Sequence, residues 1–136
     1  MIFPGVIVIG AVKCGTTSLH RYLDCHPDIF MSKRKELDFF RLHWTRRVPW
    51  YGAQFNASSK LNGESSPHYT HVGGDVSVAK MAERMASVVP DAKLLYLVRD
   101  PIKRIISEYR HSVIYWRERR SLSNLIANPE KRITIQ

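Results

Sequence analysis

A chain of 136 residues supports one domain with a single hydrophobic core. Its 44% hydrophobic and 24% charged residues are those of an ordinary soluble globular protein, and no run nears the roughly 20 apolar residues of a membrane span. A formal net charge of +9 points toward anionic partners (nucleic acid, nucleotides, acidic glycans or membrane surfaces) without choosing among them.

The first element is "GVIVIG", residues 5–10, a short β-branched run that is apolar on both faces, as expected of a strand buried in a parallel sheet. The opening "MIFPGVIVIGAVKCG" lacks the basic start of a secretory signal. A strand placed this early suits a cytosolic protein. It equally suits a domain cut from a longer, membrane-anchored chain, whose compartment stays open, the Golgi lumen included. After a glycine loop, "TTSLHRYLDC" places Leu19, Tyr22 and Leu23 at helical spacing, and Pro27 ends that helix. The two cysteines, Cys14 in the loop and Cys25 after the helix, offer neither a disulfide framework nor metal-ligand spacing, and read as buried or inert thiols.

Residues 29–71 are irregular and rich in aromatics, which predicts loops, short helices and a brief strand at "KLNGE". Phe39, Phe40, Trp44, Trp50, Tyr51 and Tyr69 read as core and loop packing, although "HWTRR" could also line a groove for an acidic glycan. A helix is predicted over 75–89 with Val78, Met81, Met85 and Val88 or Val89 inward. "KLLYLV" then reads as a second buried strand. Next, Asp100 is a good N-cap, Pro101 suits the first helical position, and Ile102, Ile105, Ile106, Tyr109, Val113 and Trp116 form one apolar stripe. Ser107 lies off that stripe with Lys103, Arg104 and His111. The basic tail shows only a weak helical pattern at "SLSNLIAN". Alternating strands and helices imply an α/β fold, a P-loop-like parallel sheet with flanking helices, whose ligands bind at the carboxyl ends of strands.

Two such ends carry chemistry. "GAVKCGTT" nearly matches the phosphate loop G-x-x-x-x-G-K-[ST], with Gly10, Gly15 and Thr17 in place. Thr16, however, occupies the lysine position, and Lys13 stands inside the loop. Backbone N–H groups of such a turn, running into a helix start, make an anion nest. At the second end, Arg99 can fork onto a phosphate and Ser107 can donate to it. From spacing alone, Arg99 reads equally as an ion-pair partner of Asp100 or Glu108, and Ser107 as a solvated hydroxyl.

These residues carry a resemblance. "GAVKCGTTSL" resembles the 5′-phosphosulfate loop of sulfotransferases that use 3′-phosphoadenylyl sulfate (PAPS). "LLYLVRDPIKRIISEY" is similar to their 3′-phosphate segment, R-D-P-x-x-R-x-x-S-x-Y. "KELDFF" and "GESSPHY" resemble K-E-x-x-F-F and G-E-x-[ST]-P-x-Y of the heparan sulfate sulfotransferase branch and its bacterial relatives. Together the four motifs cover about residues 5–126. The resemblance implies that Lys13 contacts the 5′-phosphate and the bridging oxygen, and that Cys14 (through its backbone), Gly15, Thr16 and Thr17 hold the 5′-phosphate. It implies that Arg99 and Ser107 hold the 3′-phosphate, that Glu36 is the general base, and that no metal is required. It also implies that residues 1–136 are an incomplete sulfotransferase domain, the N-terminal half of that fold.

Read from its neighbours alone, Glu36 sits among Lys33, Arg34 and Lys35, which favour an ionised carboxylate: ready to accept a proton, but a weak base, or a salt-bridge partner. Glu64 is the second candidate base and reads mainly as a structural partner near the site. His20, His68 and His71 read as surface or internally satisfied histidines. The expected function is transfer of a sulfuryl group from PAPS to the hydroxyl or amine of a small molecule or acidic glycan, leaving 3′-phosphoadenosine 5′-phosphate (PAP). The alternatives are a PAP/PAPS-binding remnant without turnover and a small P-loop kinase. The kinase is disfavoured by Thr16 and by the lack of a second Mg²⁺ carboxylate. A basic nucleic-acid-binding protein is the remaining, weaker alternative.

Overall fold

The computed structural model describes residues 1–72 and 75–128. The end of the basic tail, from residue 129, lies outside the described residues. By internal contacts the chain divides into two units, Met1–Val98 and a second beginning at Arg99.

The first unit is built on four parallel strands: β1 (Val6–Gly10), β2 (Ile29–Met31), β3 (Leu61–Ser65) and β4 (Lys93–Tyr96). They lie in the order β2-β3-β1-β4. This is the α/β parallel sheet with flanking helices that the alternation predicts. The apolar run of β1 takes the middle, where Ile7 and Val8 are wholly buried. "KLNGE" becomes β3, an interior strand, while β2 has no counterpart in the sequence reading. The register sets Ile7 beside Glu64 and Val8 beside Ser65. Because side chains alternate across a sheet, Glu64 and Ser65 leave β3 on opposite faces.

One face carries the core of Ile7, Leu37, Phe39, Phe40, Tyr51, Phe55, Tyr69, Met81, Met85 and Val89. Its centre is aromatic: Phe39 stacks on Tyr51 with ring centroids 4.4 Å apart, and Phe40 meets Tyr69 edge-on at 5.5 Å. Such pairs contribute about 0.5–1.5 kcal/mol each beyond the area they bury. Tyr51 comes from α2 (Arg47–Gly52), one of the short helices expected in this irregular stretch. Met81 and Met85 come from α3 (Val78–Val88), where Ser77 is the N-cap and accepts the Lys80 N–H. Val78, expected inward, is exposed.

Helix α1 (Thr16–Asp24) packs against β1, β2 and β3. Its inward face corrects the sequence reading. Thr16 and His20 are buried, whereas Tyr22 is 74% exposed. His20 goes inward because the Nδ1 of its ring pairs with Ser65 Oγ at 3.1 Å, which satisfies the ring in a buried place. Both cysteines are free, and Cys25 is exposed rather than buried.

Strand β4 brings a second correction. It was expected to be buried, yet Leu94 and Tyr96 are 51% and 54% exposed. The physical reason is its position: β4 pairs only with β1 and forms the edge of the sheet. An apolar run specifies a strand but not how many neighbours it has.

The second unit contains α4 (Pro101–Tyr115) and α5 (Leu122–Ala127). Asp100 caps α4 as predicted, its Oδ1 accepting the Lys103 N–H at 2.9 Å. Much of the apolar stripe is exposed, Ile102 by 67% and Val113 by 41%. Within this unit, α5 is only six residues long and cannot cover a fifteen-residue stripe.

Candidate active site

The glycine loop leaves β1 at the carboxyl end of the sheet. Its start is fixed by a backbone exchange with the end of β4: Leu97 N–H donates to Gly10 C=O at 2.8 Å, and Ala11 N–H to Leu97 C=O at 3.0 Å. Gly10 has no room for a side chain, since a Cβ there would lie 2.5 Å from both Thr70 Oγ1 and the Tyr96 ring. The loop then curls. Cys14 N–H closes a turn onto Ala11 C=O at 3.2 Å, and both Lys13 (φ 64°) and Gly15 (φ 92°) are left-handed.

Gly15 occupies the N-cap of α1 without a side-chain cap, and the first turn carries no acidic residue. The first N–H groups of a helix lack intrahelical partners. With Lys13 and the Thr16 and Thr17 hydroxyls beside them in the chain, they make up a donor set suited to an anion. A Cβ at Gly15 would meet nothing within 4 Å, so the space beside it is open. Within this set Cys14 is the weakest donor, because its N–H already serves the turn. Thr16 is buried and Thr17 exposed.

Glu36 lies at the carboxyl end of β3, the strand next to β1. Its N–H donates to Ser65 C=O at 2.9 Å, and its carboxylate is paired with Lys35. The Glu36 side chain is 40% exposed. Glu36 (φ 62°) and Asp38 (φ 45°) are both left-handed non-glycine residues. Such conformations cost about 1–3 kcal/mol each and persist only where surrounding contacts enforce them. Two contacts do so: the Glu36 bond to Ser65, and Asp38 N–H donating to Ser66 Oγ at 3.1 Å. Ser66 N–H in turn donates to Val8 C=O at 3.0 Å, which ties the segment to β1. Lys13 thus follows β1, while Glu36, on the segment after β2, is pinned at the end of β3, the strand beside β1, so both lie at the same end of the sheet.

Glu64 points the other way, into the aromatic core, where it is completely buried. Its Oε1 accepts from Tyr51 Oη at 2.6 Å and Tyr69 Oη at 3.2 Å, and its Oε2 from Ser66 Oγ at 2.9 Å. Burial raises its pKa to about 7 against the pull of those three hydroxyls. Asp38, also buried, has its pKa raised by burial, opposed chiefly by His68, whose Nδ1 is 3.8 Å from Asp38 Oδ2. The sequence reading placed Glu64 near the site but missed Ser66 and Asp38 as its continuation. The available signal was the unbroken polar run "GESS" inside an otherwise apolar α/β core.

Arg99 and Ser107 belong to the second unit. Arg99 is exposed and directly precedes the α4 N-cap, and Ser107 is half-buried on α4. Among the described residues, no three His, Cys, Asp or Glu side chains gather as a metal site. The "HWTRR" segment borders a cavity of about 680 Å³ lined by Phe39, Trp44, Thr45, Arg47, Val48 and Pro49. Its aromatics are packing residues, as expected: Trp44 lies between Phe39 (5.3 Å) and the Arg84 guanidinium (5.0 Å).

Parallel strands, a glycine loop closing the central one and a helix start free of acidic residues define the class, a P-loop-like α/β protein. Comparison with known proteins gives the family. A family model described as a sulfotransferase domain matches residues 3–125, and the chain belongs to that family. The chain is 35% identical over 124 residues to the membrane-associated sulfotransferase kil1 of Dictyostelium discoideum, an alignment covering 88% of this chain and 25% of that protein. It is 33% identical over 118 residues to the bifunctional heparan sulfate N-deacetylase/N-sulfotransferase 3 of Homo sapiens, covering 79% of this chain and 13% of that one. The crystal structure of a sulfotransferase from Alicyclobacillus acidocaldarius matches with a TM-score of 0.81 at 32% identity, over 98% of this chain and 59% of that chain. The resemblance to the heparan sulfate branch and its bacterial relatives is therefore upheld. The chain spans a quarter or less of these two curated relatives. No helix among the described residues is long and apolar enough to cross a membrane.

Proposed function

We propose that this chain binds PAPS and transfers its sulfuryl group to a hydroxyl or amine of an acceptor, with an acidic glycan as the acceptor class. The observation that carries the reading is the left-handed loop at Lys13 and Gly15, feeding a helix start with no acidic residue and no side-chain cap. PAPS, when bound, supplies an activated sulfuryl group on its 5′-phosphate. Gly15, Thr16 and Thr17 hold that phosphate, with Cys14 a weaker contributor. Lys13 stabilises the charge that develops there as the bond to sulfur breaks. Glu36 takes the proton from the acceptor atom as that atom bonds to sulfur. Arg99 and Ser107 are assigned to the 3′-phosphate on their sequence motif.

Names of the relatives favour the glycan: one is a heparan sulfate N-sulfotransferase. The net charge of +9 suits such a partner. Isothermal calorimetry of PAP against wild type, Lys13→Ala and Arg99→Glu tests the donor site. Binding to wild type that is weakened in both variants is expected. A folded wild type that binds no PAP overturns the assignment. Binding with no transfer to any of a panel of sulfate acceptors identifies a donor-binding remnant instead.

A further inference from the structure

Glu64 is an odd choice for an aromatic core. A neutral side chain could accept from Tyr51 and Tyr69 without placing a charge away from water. What a carboxylate adds is direction, because it only accepts hydrogen bonds. Above about pH 7, where Glu64 is ionised, all three hydroxyls around it donate inward, Tyr51 and Tyr69 to Oε1 and Ser66 to Oε2. The Ser66 proton is thereby committed, and its lone pairs are presented to the Asp38 N–H. That bond holds one end of a three-residue segment whose other end, Glu36, is held by Ser65 C=O. Leu37, between them, is completely buried. Glu36 itself is partly exposed and pairs with Lys35, and its side chain leaves the chain in the direction that the left-handed backbone beneath it sets.

We infer that Glu64, acting through Ser66, is a positioning residue that locks the 36–38 turn and thereby aims the Glu36 carboxylate. The inference rests on the reading of Glu36 as the general base. It gives the G-E-S-S run a task in the reaction rather than in the core alone.

The test uses Ser66→Ala and Glu64→Gln in the full chain, each also combined with Glu36→Gln. Amide hydrogen exchange followed by NMR should quicken about tenfold at Glu36 and Asp38, the loss expected for one hydrogen bond, while Ile7 and Val8 in the sheet centre stay protected. In transfer assays kcat should fall about tenfold with the KM for PAPS unchanged, and neither substitution should reduce the rate further once Glu36 is Gln. Exchange that rises equally at Ile7, Val8, Glu36 and Asp38 overturns the inference, since Glu64 and Ser66 then serve stability alone. An equal loss of rate with and without Glu36 also overturns it. A wild type that binds no PAP overturns the donor-site reading but not the lock, because the exchange contrast needs no donor.

Discussion

The two loops at the carboxyl end of the sheet reach left-handed backbone by different means. The loop of residues 10–17 is tied at its start to Leu97, but its left-handed part, Lys13 to Gly15, is shaped locally: a turn from Ala11 to Cys14, a glycine at the α1 N-cap, and the start of the helix itself. Residues 36–38 are shaped from a distance, by Ser65 at the end of β3 and Ser66 just after it, far along the chain. A locally built loop keeps its form wherever its few residues are kept. A loop built by remote contacts changes when a buried partner changes, even if its own sequence does not.

The most severe way to break this contrast is at the reacting end of the remote loop. Glu36→Gln should lower sulfuryl transfer by about 10²–10⁴-fold while leaving PAP binding by calorimetry nearly unchanged. If PAP binding falls in parallel, Glu36 belongs to the donor site and the two loops are not separable.

Glu64 gives the next largest effect, and a pH signature. Its pKa is raised from the usual carboxylate value of 4.5 to about 7 by burial. Between those values the native protein holds a proton that the unfolded chain has released. Stability from this group is therefore full below the unfolded value and is lost as pH rises through about 7. Glu64→Gln should cancel that loss, shifting relative stability in favour of the variant by on the order of 3 kcal/mol between pH 4.5 and 8 in urea unfolding. A constant difference across that range would contradict a carboxylate protonated in the core.

Lys13→Ala probes the local loop. It should weaken PAP by about 10- to 100-fold, the range for a lost charge-assisted hydrogen bond, without changing exchange at Glu36. The smallest effect is expected at Gly15. Gly15→Ala meets no steric obstacle, so its cost is the left-handed backbone alone, about 1–2 kcal/mol by thermal or denaturant unfolding. A larger loss would mean that the loop, too, depends on distant contacts.

This division also explains what the sequence could disclose. The β1–loop–α1 unit was legible because its glycines, threonines and apolar strand are contiguous, and each residue's role follows from its neighbours. The Asp100 cap was legible for the same reason. The link from Glu64 to Asp38 was not, because it needs the β1–β3 register that puts Glu64 on the aromatic face and Ser65 under His20. Nor was the exposure of β4, since "KLLYLV" reads alike at the centre and at the edge of a sheet. In α1, the apolar spacing pointed to Tyr22, but a hydrogen bond to His20 turned the helix to bury a polar face.

The sheet order has a consequence for how the chain is made. Val6 pairs with Gly63 on one side and with Lys93 on the other, so the central strand is synthesised before either of its neighbours exists. At ordinary rates of translation it must wait several seconds for β3 and longer for β4. During that interval the apolar "VIVI" segment lacks both of the strands it pairs with in the sheet. Because the start of the loop is anchored to Leu97 just after β4, the anion-binding turn is fixed to the sheet among the last parts of this unit, although it is written among the first.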